Sequence, residues 1–196
     1  MRLSYLLLIP VLLLAALGQT QAQGRYMTKT GRVSFFSESL IENIEAHNQH
    51  TAAMLDLAAG QLAFSVPIKE FVFKRTLMQE HFNENYLESD KYPKATFSGK
   101  FVGLDPESLT TPGPHAVQVE GDLSIHGVTR RIQVPGTLEI KNNQLVAAAT
   151  FPVATADYNI KIPALVRSQV AKVVSVRVAL TCDPAPAAPA TARPTN

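Results

Sequence analysis

Five histidines, one cysteine and a scatter of carboxylates are the groups that could do chemistry in this 196-residue chain. His47 and His50 stand three apart in a stretch that alternates like a strand. Successive strand side chains point to opposite faces, so the two imidazoles are expected on opposite sides, unable to close on one metal ion. His81 sits between Glu80 and Phe82 in a run of helix formers; it could fix that helix or touch the polar end of a ligand. His126 precedes Gly127, where capping a turn is the simplest role. Glu120 and Asp122 share one side of a strand, which is more often a solvated surface than an acid–base pair. Cys182 has no second cysteine to pair with and is expected as a lone thiol. No G-x-S-x-G elbow, G-x-G-x-x-G turn or phosphate-binding loop occurs. Nothing assembles a nucleophile, a base and an orienting group, so the expectation is a protein that is not an enzyme. Were the protein an enzyme after all, His81 and Tyr158 would be its only polar actors.

Composition narrows the classes further. Eighteen basic against sixteen acidic residues give a net charge of +2, which excludes a polybasic nucleic-acid arm and predicts no nucleic-acid partner. Arg2 followed by the apolar run Leu6 to Leu17 and by Thr20-Gln21-Ala22 has the layout of a cleaved signal peptide over residues 1–22. That run is shorter than the about 20 residues a membrane span needs, so no integral span is expected after cleavage. From Asp183 to Asn196 the chain is rich in Pro and Ala and lacks aromatic or large aliphatic side chains. Such a segment cannot offset its ordering entropy and is expected as a disordered tail. One domain, residues 23–182, lies between.

The elements that must position any site in that domain have a period of two. Val117, Val119, Leu123 and Ile125 alternate with polar residues, as do Ile132, Val134, Leu138 and Ile140. One wet and one buried face per run is the pattern of antiparallel strands. Eight runs are predicted, over residues 28–37, 47–57, 61–73, 95–104, 115–126, 129–140, 144–152 and 169–182. Asn142-Asn143 suits a tight hairpin because Asn tolerates positive φ. Arg75 to Tyr86 breaks the alternation and predicts a short amphipathic helix between the third and fourth strands, with Leu77, Met78 and Phe82 facing the core.

Eight antiparallel strands can make a sandwich or close into a barrel; short turns between neighbours favour the barrel, so the fold class expected is all-β, an eight-stranded antiparallel barrel with one short α-helix. Closure removes unpaired edges, and eight strands enclose an interior just wide enough for side chains or one small ligand. Gly99, Gly121, Ala147 and Ala149 fall on the inward faces beside aromatics. They either leave space for an elongated apolar guest or fit the taper of a packed barrel.

Two runs carry a resemblance to a known family. Leu77 to Gly99 contains E-H-F-N-E-N-Y-L-E-S-D-K-Y-P-K-A-T-F, and Val119 to Thr129 contains G-D-L-S-I-H-G-V-T. Together with Phe151-Pro152-Val153, Asp157-Tyr158-Asn159-Ile160 and Ile162-Pro163, they resemble the YceI-like family across almost the whole mature domain. The resemblance implies a lipocalin-like barrel, exported to the periplasm or secreted, that holds an isoprenoid quinone, a polyisoprenoid or a similar long-chain apolar lipid, with no cofactor needed beyond that ligand. On the family's fold and the strand alternation, the expected lining is Phe64, Phe97, Phe101, Val119, Leu123, Ala147 and Phe151, with helix residues Leu77, Met78 and Phe82 closing one side. A second reading is a stress-related protein-interaction module with a packed barrel, and a third is an enzyme acting on a bound lipid. Oligomeric state is open, a dimer included.

Overall fold

A computed structural model describes residues 24–38, 43–164 and 170–186. The expected signal peptide, residues 1–22, lies outside the described residues, as does the expected tail from residue 187 onward. The strands are β1 (Arg25–Ser37), β2 (Ile44–Asp56), β3 (Gln61–Pro67), β4 (Val72–Phe73), β5 (Lys94–Val102), β6 (His115–Ile125), β7 (Val128–Lys141), β8 (Gln144–Ala154) and β9 (Val173–Pro184). All pairings are antiparallel, in the order β1-β9-β8-β7-β6-β5-β3-β2, and β1 pairs with β2 to close an eight-stranded barrel. The two-residue β4 is tacked onto β2 alone. The expected all-β barrel is thus the observed fold.

Local chemistry explains the connections. His126 and Gly127 both have positive φ between the partners Ile125 and Val128, and Asn142 and Asn143 both do between Lys141 and Gln144. Positive φ at both central residues is what a two-residue hairpin needs to match the strand twist.

Three expectations are corrected. The third predicted strand does not run to residue 73. It ends at Pro67, which has no N–H to continue a ladder and whose carbonyl accepts a bond from Asn48 Nδ2 at 2.8 Å. A 3-10 turn, Ile68–Glu70, follows, and Ile68 N–H is taken by the Pro93 carbonyl at 2.9 Å. The second correction concerns the histidines. Between the pairs Gly31↔Thr51 and Val33↔Asn48, β2 carries one residue more than β1. This bulge, held where Asn48 Oδ1 accepts from His50 N–H at 2.9 Å, resets the alternation, and His47 and His50 both end up exposed. They do not share a partner: His47 lies 3.5 Å from Glu45 and His50 3.2 Å from Glu70. Third, β9 continues past the expected domain end at residue 182. Asp183 and Pro184 pair with Met27 and Tyr26 of β1.

The expected helix over 75–86 is shorter and changes pitch. An α-helix, α1 (Thr76–His81), passes into a single wide turn, Phe82–Tyr86, in which Leu87 N–H reaches back five residues to the Phe82 carbonyl at 2.8 Å. Phe82 anchors the segment. Its ring lies 5.5 Å from Phe35, 4.9 Å from Phe73 and 5.5 Å from Phe71, and aromatic pairs at these separations add to the burial energy.

Candidate ligand-binding site

Among the described residues, two apolar chambers stand out in the interior of the barrel. The larger, about 270 Å³, lies at the α1 end and is lined from β1, β2, β3, β5, β6, β8 and β9, and from the 68–87 segment. The aromatic cluster of Phe35, Phe71, Phe73 and Phe82 forms one wall. Half-buried Met78, Tyr86, Ile162 and Val170, with exposed His81, form its rim. The smaller chamber, about 60 Å³, lies toward the other end between Leu55, Phe97, Phe101, Val119, Leu138 and Leu180. That end is stoppered by Leu109 of the 3-10 turn Pro106–Thr110 and by Leu145 and Cys182, all buried.

Of the residues expected to line a site, Met78, Phe82 and Leu123 face the larger chamber, and Phe97, Phe101, Val119 and Ala147 face the smaller. Phe64 and Phe151 face both. Leu77 faces neither: it is 53% exposed, which corrects the expectation that it points inward. Met78 is one turn before Phe82 and shares its face, whereas Leu77 is rotated by about 100° onto the solvent side.

The inward glycines resolve the choice between open space and close fit. Gly99 and Gly121 are direct partners across β5 and β6. A Cβ on either would lie 2.7 Å from Phe97 Cζ. These positions are small because the Phe97 ring lies flat over both backbones, so they seat a ring and leave no void there. Sequence reasoning missed Val33, Phe35, Phe71, Phe73 and Val176 of the larger chamber. Phe71 and Phe73 alternate about Val72, a signal that was present; Phe35 and Val33 were hidden by the irregular register of β1.

Polar groups are few and lie at the edge. Asn85 Nδ2 donates to His81 Nδ1 at 3.0 Å, leaving Nε2 as the ring's other nitrogen. Ser37 Oγ is engaged by Ala171 N–H at 2.9 Å, and Thr155 Oγ1 donates to the Lys172 carbonyl at 3.2 Å. Tyr158 is buried but does not line the chamber; burial raises its phenol above the ordinary range, Asp157 adding to the effect and Arg130 opposing it. His81 and Tyr158 are therefore not brought together at one cavity. On the outer face, Glu120 accepts from Lys100 at 3.0 Å and from Arg131 at 3.2 Å, and Arg131 also lies 3.5 Å from Asp122. Among the described residues no three His, Cys, Asp or Glu side chains are grouped to hold a metal ion.

This chain matches the YceI-like domain over residues 17–182. It belongs to the YceI-like family. Among solved structures, this YceI-like chain is similar to a polyisoprenoid binding domain from Saccharophagus degradans implicated in plant cell wall breakdown, with TM-score 0.70 and 14% identity, covering 83% of this chain and 99% of that one. It is also similar to BcnA of Burkholderia cenocepacia, with TM-score 0.67 and 18% identity, covering 77% of this chain and 95% of that one. At such identities the likeness is one of fold. No curated protein matches the chain. Among the described residues of this YceI-like protein, no helix is long and apolar enough to cross a membrane.

Proposed function

We propose that this protein is an exported, non-enzymatic binding protein that takes up the apolar chain of an isoprenoid quinone, a polyisoprenoid or a similar lipid in the larger chamber. One observation carries the reading: a cavity of about 270 Å³ walled by Phe, Val, Leu and Ile, with polar side chains only at its edge. A cavity of about 150 Å³ is enough to hold benzene, so this one accommodates a substantial length of hydrocarbon. Each buried methylene contributes about 0.8 kcal/mol, and tight binding needs no charged anchor. The Saccharophagus degradans neighbour, described as a polyisoprenoid binding domain, supports the ligand class. The apolar run Leu6 to Leu17, followed by Thr20-Gln21-Ala22, supports export.

The test is mass spectrometry of an organic extract of protein purified from its own host. A stoichiometric lipid with isoprene-unit mass spacing is expected. Protein that arrives empty, and stays empty after incubation with quinones and polyprenols, would move the function to the protein-interaction reading.

A further inference from the structure

The two chambers share only Phe64, Phe151 and Val178. Phe64 and Phe97 are direct partners across β3 and β5, and their rings stack with centroids 5.1 Å apart at 15°. Phe97, seated on the backbones of Gly99 and Gly121, faces only the smaller chamber, so of the pair it is Phe64 that meets the larger one. A hydrocarbon chain entering past Met78 and Tyr86 therefore meets the Phe64 ring, backed by Phe97, before it reaches the lower chamber.

We infer that the Phe64–Phe97 stack is the length-determining element of this barrel: it stops an entering chain and limits the buried portion to what the larger chamber holds. Scaled against a benzene-sized cavity, that is about two isoprene units. The inference rests on the lipid-binding reading and adds a chain-length limit to it. The protein should read the first units of a prenyl chain and be indifferent to the rest, which stays outside the mouth. Phe64 is then the specificity-determining residue, since its truncation joins the two chambers without disturbing the glycine seat of Phe97.

The experiment is equilibrium binding of prenyl alcohols of one, two, three and eight isoprene units to the wild-type protein and to Phe64→Ala, by calorimetry. For the wild type, affinity should rise about tenfold from one unit to two and change by less than about twofold from two to eight. For Phe64→Ala, the rise should continue to three units. Phe64→Val, which removes the ring and opens part of the same passage, serves if the alanine variant does not fold. Wild-type affinity that climbs steadily to eight units, or a plateau left unmoved by either substitution, would overturn the stop while leaving lipid binding intact. Failure of every alcohol to bind the wild type would overturn the binding reading and the length limit together.

Discussion

His126 presents Nε2 to Glu88 Oε2 at 2.7 Å while its Nδ1 lies 3.1 Å from the Tyr158 carbonyl oxygen. Both partners are acceptors, and a neutral imidazole donates from only one nitrogen. The two bonds coexist with an imidazolium, or with a protonated Glu88. The ring is also packed edge-on against Tyr92 at 4.6 Å. One side chain in the β6–β7 turn thus ties together the segment after α1 and the turn after β8, which is a larger role than capping its own hairpin.

Two substitutions separate the parts of this clasp. Glu88→Gln keeps an acceptor for a neutral ring and, with Glu88 half exposed, should cost less than about 1 kcal/mol. His126→Ala orphans the Tyr158 carbonyl and loses the Tyr92 contact, and should cost about 2 kcal/mol. Urea unfolding of the two variants checks the order; equal costs would show that the carboxylate, and not the ring, holds the clasp.

Gly121→Ala should be among the most damaging single-methyl additions in the protein. Its Cβ would stand 2.4 Å from the Ser98 carbonyl oxygen and 2.5 Å from Gly99 Cα, both backbone atoms that cannot step aside. A loss of about 3 kcal/mol is expected, read as a drop in thermal midpoint, with the aromatic circular dichroism of the Phe64–Phe97 pair altered.

Cys182 should be inert in the folded protein. It is fully buried, and burial, with a smaller contribution from Asp183, pushes its thiol up from 9.0 to about 11. At pH 8 an alkylating reagent should label it only after unfolding. Between pH 9 and 11 the unfolded chain loses the proton while the folded chain keeps it, so stability falls as pH rises through that window and levels off above it. The loss should amount to about 3 kcal/mol, and Cys182→Ala should lack that part of the alkaline slope.

Glu120 should titrate below the ordinary glutamate range, chiefly because Lys100 donates to it, with Arg131 adding to the effect. The carboxylate is on the open outer face, so the shift should shrink at high salt. Carboxyl-carbon chemical shifts followed against pH, at low and high ionic strength, would show this; a salt-independent shift would contradict the assignment to exposed ion pairs.

Much of this architecture is legible in the sequence. The alternation in Val117 to Ile125 and Ile132 to Ile140 specified β6 and β7, and Asn142-Asn143 marked their neighbour's hairpin, because side-chain period and positive-φ tolerance are local properties. The inward placement of Phe64, Phe97, Phe101, Val119, Leu123, Ala147 and Phe151 followed from the same period together with the fold that the family resemblance implies. Leu77 was misplaced because two adjacent helical residues look alike in composition, and only the docking of Phe82 among Phe35, Phe71 and Phe73 chose the face.

What the sequence determined by itself was therefore the eight strands of the barrel, the faces of β6 and β7, the two tight turns and the family resemblance. The tertiary structure decided what a one-dimensional pattern cannot carry. The β2 bulge depends on Asn48 reaching Pro67 across strands, and the sense of Gly99 and Gly121 depends on where the Phe97 ring lies. The division of the interior depends on two rings meeting from β3 and β5. A cavity is the small difference between the volume a barrel encloses and the volume its side chains fill, and that difference exists only once the side chains are packed.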